Sequence, residues 1–381
     1  MSNYYFDHAA TTPMRPEVAS AMVSIMMEGP GNASSMHRYG RAARQHMNRS
    51  RDTIARLIGA KPAELIFTSG GTESDNLAIA GAARAMRAQG KNHIITSAAE
   101  HHAVLHACRA LEQEGFQLTE LPVDEYGQLS VDVVCEAMTD QTGLVSIMYA
   151  NNETGTLQPI AEIGHAVRAR GALFHVDAVQ ALGSIPIDVS QLPVDLMSFS
   201  AHKVNGPQGV GALYAATGVV LSAISHGGSQ ERKRRAGTEN VAGAVGFAAA
   251  LEIAVQTMQE RKLLLDKLRL QWIERMQAAT EGQITVNGHQ AVRLSHIVNI
   301  SFLGIDTETM LMNLDMAGIA ASGGSACTSG SLERSHVLAA MGLSQERLMT
   351  AIRFSFGIGN TGEELDEAGQ IVETIVRCLR K

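Results

Sequence analysis

Cysteine is scarce in this chain: Cys108, Cys135, Cys327 and Cys378 lie far apart, with no C-x-x-C pair and no zinc-ligand spacing. That argues against a disulfide framework and for a reducing compartment. Long apolar runs are missing as well, so no stretch approaches a membrane span. The start, Met1 to Asp7, has neither the basic residues nor the apolar core of a secretory leader. Nor is there an excess of positive charge: a formal net charge of −7 gives no sign of a surface for nucleic acid or an anionic membrane. Internal repeats and low-complexity linkers are absent too. What is there, 45% hydrophobic and 18% charged residues in a chain of 381, is the composition of a globular protein with a large core, long enough for two domains and expected in the cytoplasm.

From about Glu64, short β-rich runs alternate with helical patterns, as in crossover units around a mostly parallel sheet. Residues 65–68, 93–96, 144–148, 173–176 and 196–199 read as strands, and polar residues cluster just past the carboxyl end of each. Ligands of open α/β sheets bind at that edge. A helical pattern from about 240 to 278, bent or interrupted, precedes a change of texture. Beyond it 297–302 and 351–356 read as strands of a smaller α+β domain. The expected division is a large cofactor-binding domain over 16–263, and a small domain from 1–15 and 264–381 that carries Cys327.

The stretch Ser200-Ala201-His202-Lys203-Val204-Asn205-Gly206-Pro207-Gln208-Gly209 places one lysine between an apolar strand and a glycine-rich turn. A lysine at a strand exit can shed solvent, drop its pKa and offer a neutral amine, which forms a Schiff base with an aldehyde. In Phe174-His175-Val176-Asp177-Ala178-Val179-Gln180 a carboxylate closes another apolar strand. A lysine for an aldehyde and an aspartate for a pyridinium nitrogen make the pair that pyridoxal phosphate requires.

Other positions read in two ways. Gly70-Gly71-Thr72 at a helix start is either a phosphate cradle, completed by Ser200 and His202, or a plain turn with its N-cap. His101 can lay its ring on a cofactor, whereas His102 reads as a helix-surface residue. Asn151-Asn152-Glu153-Thr154-Gly155 offers amides to a ligand, or an Asx-turn that reverses the chain before Pro159. Arg353, in an apolar strand, is either a fork for a carboxylate or half of an edge-strand salt bridge. The run 231–235 reads as a solvated charged face, with the Gly237-Thr238 after it a further phosphate candidate. Cys327, in a Gly/Ser-rich stretch, reads as an exposed reactive thiol, while Cys108, Cys135 and Cys378 read as packing or surface residues.

In this order the motifs resemble the NifS/IscS-type, group I, cysteine desulfurases of the class-V, fold-type I pyridoxal-phosphate enzymes. The resemblance runs from Phe6-Asp7-His8-Ala9-Ala10-Thr11-Thr12 to Ile352-Arg353-Phe354-Ser355. It implies a large domain with a mostly parallel seven-stranded sheet flanked by helices, plus a smaller α+β domain. It further implies that Lys203 links to the cofactor, Asp177 binds the ring nitrogen, Gln180 the ring hydroxyl, and His101 stacks on the ring. Gly71, Thr72, Ser200 and His202 would hold the phosphate, and Thr238 would reach the phosphate of a neighbouring subunit in a homodimer. Asn152 and Arg353 would fix the carboxylate of L-cysteine. Cys327 would take the sulfur as a persulfide and pass it to an acceptor, an iron–sulfur scaffold or a tRNA thiolase. Where relatives carry an aromatic or aliphatic residue and a basic one, this chain has Asn205 and Gln208, and 230–240 reads closer to NifS than to IscS. The chain also stops soon after its last helical pattern, short of the tail by which IscS-type enzymes grip a scaffold. A class-V aminotransferase acting on another amino acid is the alternative, for which Cys327 would have no use.

Overall fold

The computed structural model describes residues 4–324 and 334–380. The strands are β1 (Tyr4–Tyr5), β2 (Leu65–Thr68), β3 (His93–Ser97), β4 (Gln117–Leu121), β5 (Thr142–Met148), β6 (Leu173–Asp177), β7 (Leu196–Ser200) and β8 (Gly211–Ala215), then β9 (Ile284–Asn287), β10 (Ile297–Phe302), β11 (Ile319–Ala320) and β12 (Ala351–Ser355). Seven of them form one sheet in the order β2-β8-β7-β6-β5-β3-β4. The pairs from β7 to β4 are parallel, while β8 runs antiparallel to both its neighbours. The reason is length: the ten residues 201–210 between β7 and β8 are too few for a crossover, so the chain must turn straight back. That turn carries Lys203. A side chain at Gly211 would put its Cβ 2.5 Å from the Phe199 carbonyl and 2.7 Å from Gly70 Cα, so β8 can lie against both only as glycine.

Ile95, Val145, Ile147, Phe174, Val176, Met197 and Phe199 fill the core beneath this sheet, with Phe247 and Leu251 from the helix Val241–Gln256. The helical pattern expected over 240–278 is two helices, Val241–Gln256 and Met258–Ala279, which meet at Thr257 with a bend of 72°. Among the described residues no single helix is long and apolar enough to cross a membrane.

A second apolar cluster gathers Tyr4, Phe6, Trp272, Phe302, Phe354 and Phe356. Ring centroids are 5.3 Å apart for Phe6 and Trp272 and 5.0 Å for Trp272 and Phe354, both edge-on. Fully burying a Phe side chain contributes roughly 1.5–3 kcal/mol, so this cluster fixes the small antiparallel sheet β12-β10-β9 against the helix Met258–Ala279. The N-terminal segment ties the two clusters together. β1 pairs with β11, Phe6 enters the second cluster, and Ala9 joins the first. Thr12 then donates its N–H and its hydroxyl to the His202 carbonyl, at 3.0 and 2.6 Å.

Candidate active site

The carboxyl ends of β6 and β7 and the start of the helix after β2 enclose a cavity of about 180 Å³. Into it the structure brings Gly71, Thr72, His101, Asn152, Asp177, Gln180, Ser200, His202, Lys203 and Arg353 together. Two further sequence-read residues stand apart from that list for different reasons. Thr238 is exposed and does not line the cavity of its own chain. Cys327 lies outside the described residues.

Lys203 closes the short 3-10 turn Ala201–Lys203 after β7. Its Nζ donates to the carbonyls of Ala9 and Ala10 at 2.5 and 2.7 Å. Gln180 Nε2 donates to the same Ala9 carbonyl at 2.9 Å, so the N-terminal segment sets the position of both side chains. At the end of β6, Asp177 accepts the Val179 N–H at 2.9 Å. Burial pushes its pKa up to about 6, against the opposing pull of that hydrogen bond and of Lys203. His101 caps the helix His102–Gln113, its Nδ1 accepting the Ala103 N–H at 3.1 Å. Burial, and then the charge of Lys203, bring its pKa down to about 4, which leaves a neutral ring at physiological pH. His202 is likewise pushed down to about 4 by burial and by Lys203, and its Nδ1 lies 3.1 Å from the Thr11 hydroxyl.

Gly71 opens the helix Gly71–Arg87, whose first N–H groups have no partner within the helix. A Cβ at Gly71 would stand 2.7 Å from Val179 Cγ2, so only glycine lets the helix end approach β6 and β7 this closely. Helix N-termini attract anions through those N–H groups and the helix dipole. Opposite, Arg353 is 1% exposed on β12. It donates Nη2 to Asp7 Oδ1 at 2.8 Å and Nη1 to the Asn152 carbonyl at 2.9 Å, while Nε makes no hydrogen bond among the described residues. The structure thus shows the edge-strand salt bridge, a buried guanidinium held by Asp7, and leaves its Nε without a hydrogen bond among the described residues.

The alternatives at 151–152 likewise divide between two residues. Asn151 builds the turn, its Oδ1 accepting the N–H groups of Glu153 and Thr154, each at 2.9 Å, and Asn152 lines the cavity. Two expectations are corrected. His102 is half-buried, its ring centroid 4.4 Å from that of His336 with the planes tilted by 43°. In the charged run 231–235, Glu231 is buried and takes a bidentate grip from Arg51 at 2.6 and 2.8 Å, because its left-handed backbone turns the side chain inward. The sequence reading also missed Asp75. Its signal is position: it lies four residues before Ile79 and seven before Ala82, on the buried stripe of an amphipathic helix.

An amine, a buried carboxylate and an anion-attracting helix end thus face one cavity, with a spare guanidinium donor beside them. That donor set fits a ligand with an aldehyde, a basic ring nitrogen and a phosphate, together with a substrate carboxylate.

Residues 4–367 match the family model described as aminotransferase class-V. A protein of Methanosarcina thermophila named cysteine desulfurase IscS is 49% identical over 99% of this chain and 92% of its own length. A putative cysteine desulfurase IscS 1 of Bacillus subtilis strain 168 is 48% identical over the whole of both chains. A solved structure titled NifS-like protein superposes with a TM-score of 0.93 at 36% identity, covering 99% of this chain and 100% of its own.

Proposed function

The chain belongs to the aminotransferase class-V family, and from that premise we propose that it is a pyridoxal-phosphate-dependent cysteine desulfurase, which converts L-cysteine to L-alanine and leaves the sulfur as a persulfide on Cys327. The observation that carries this reading is the convergence of Lys203, Asp177, the helix end at Gly71 and the buried Arg353 on one cavity. Bound there, pyridoxal phosphate supplies an aldehyde for amines and a ring that takes up the electrons released at the substrate Cα.

The chain's own residues do the rest. Gly71, Thr72, Ser200 and His202 would hold the phosphate, and neutral His101 would stack on the ring. Asp177 would keep the ring nitrogen protonated, and Gln180 would bind the ring hydroxyl. Arg353 and Asn152 orient the substrate carboxylate, so that Cα presents its proton to the Lys203 amine. The thiolate of Cys327 then attacks the substrate sulfur: the Cβ–S bond breaks, an S–S bond forms on the enzyme, and Cβ gains a proton. The persulfide passes to an acceptor, an iron–sulfur scaffold or a tRNA thiolase, in the cytoplasm.

Two structural proposals accompany the chemistry. The chain divides into a domain over 16–263 and one from 1–15 and 264–381. It works as a homodimer in which Thr238 reaches the neighbouring site. Supporting the dimer, Met26, Met27 and Met36 are highly exposed at 61%, 81% and 89%, and Met26 shares a surface cavity with Glu239 and Asn240, next to Thr238.

The test is product analysis. With pyridoxal phosphate and L-cysteine the protein yields alanine and reductant-releasable sulfide in equal amounts, and Cys327→Ala still binds cysteine yet releases almost no sulfide. Undiminished turnover in that variant would instead support an aminotransferase.

A further inference from the structure

One group lining the cavity has no place in the chemistry above. Asp75, four residues into the helix Gly71–Arg87, is 1% exposed and faces the same cavity as Asp177. Its Oδ1 makes no hydrogen bond among the described residues and lies 3.6 Å from Nε2 of His175. That imidazole cannot neutralise it. His175 is fully buried, its Nδ1 engaged by the Ser146 hydroxyl at 2.8 Å and its Nε2 by the Ser198 hydroxyl at 2.9 Å, and burial lowers its pKa to about 3.

The other titratable groups near Asp75 are acids: Asp177 at the end of β6, Glu100 beyond β3, and the Cys108 thiol on the helix His102–Gln113. Lys203 and His101 share the cavity, but Lys203 bears on Asp177. Burial first, and then the charge of Asp177, hold the Asp75 carboxyl well above the usual carboxylate range. Two buried carboxyl groups on one cavity resist ionising together, and their protons come off as a pair. The surroundings decide which keeps the proton. Asp177 has a backbone N–H and the influence of an ammonium; Asp75 has only the Ser198 hydroxyl to favour its anion, beside a neutral ring and with an oxygen that makes no hydrogen bond among the described residues.

We propose that Asp75 is a positioning residue that carries the proton of this pair: as a neutral acid beside His175, it leaves Asp177 the one anion offered to the cofactor's ring nitrogen. Were Asp75 ionised, the proton would move to Asp177 and the ring nitrogen would lose its counter-ion. The role rests on the assignment of Asp177 to that nitrogen, whereas the protonation of Asp75 is a property of the chain without cofactor.

Infrared difference spectroscopy on the apoprotein tests the protonation directly. At neutral pH, wild type minus Asp75→Asn should contain the carbonyl stretch of a protonated carboxylic acid. Glu100→Gln, recorded in parallel, identifies the contribution of that second buried acid. In Asp177→Asn, with the neighbouring charge gone, the Asp75 band should titrate away at lower pH than in wild type. If Asp75→Asn does not fold, this titration alone decides. Loaded with pyridoxal phosphate, Asp75→Asn mimics the neutral acid and should keep the cofactor Kd within about twofold, with the pH dependence of the cofactor absorbance unchanged. A carboxylate signal from Asp75 at neutral pH, or a loss of cofactor affinity of about tenfold or more in Asp75→Asn, would overturn the proposal. A protonated Asp75 in a protein that takes up no cofactor would uphold the shared proton and sink the assignment of Asp177.

Discussion

Asp177 shows at the scale of one residue how a site works against the stability of its fold. Its pKa stands at about 6 in the folded chain, against an ordinary 3.8, so between those values the folded state binds the proton that the unfolded chain releases. Stability therefore falls as the pH rises from about 4 to about 6. Apo Asp177→Asn should be more stable than wild type at neutral pH, with the gap closing below about pH 4. Denaturant titration at the two pH values checks this, and the same variant should lose most of its sulfide release. Gly71 makes a second case. Gly71→Ala sets a methyl against Val179 Cγ2 at 2.7 Å, a crowding of the kind that costs roughly 1–3 kcal/mol, and should weaken cofactor binding because Val179 also lines the cavity. Equilibrium dialysis against pyridoxal phosphate reads that effect, and an unchanged Kd would contradict the cradle.

Among the elements, the N-terminal segment does more than its length suggests. Asp7 pairs with the buried Arg353 and accepts the Ser322 hydroxyl at 3.0 Å, binding the segment to β12 and to the strand end beyond β11. Removing one partner of a buried ion pair costs roughly 3–5 kcal/mol because the other is left uncompensated. Asp7→Ala should therefore lower the melting temperature and raise the KM for L-cysteine; a variant that melts normally with an unchanged KM would refute the coupling.

Much of this was legible beforehand, for a physical reason. Residues 65–68, 144–148 and 196–199 are buried throughout, so their runs are mostly apolar, interrupted only by Thr68, Ser146 and Ser198, and Thr72, Asn152 and Ser200 shortly beyond them line the cavity. β4 escaped notice because it is the sheet's edge, half-exposed, with Glu120 turned out to Arg109. β8 was hidden by the glycines that precede it, and β1 and β11 are two residues each, defined only by their pairing. The carbonyls of Ala9 and Ala10, which fix Lys203, are backbone groups and leave no mark in side-chain chemistry. Asp75 was overlooked because an acid in the first turns of a helix ordinarily reads as a favourable dipole contact.

For the whole molecule, the exposed methionines and the position of Thr238 predict a species of about twice 40.6 kDa by sedimentation equilibrium. Replacing Met27 and Met36 with Lys should shift it toward half that mass, since charges are disfavoured in the core of an interface. The account as a whole stands on a coenzyme held covalently by one particular amine, and borohydride reduction of the reconstituted protein, followed by peptide mass mapping, tests this most directly. The predicted result is a phosphopyridoxyl group on the peptide containing Lys203 and no such label in Lys203→Ala. A label on any other lysine, or none on the wild-type chain, would contradict it.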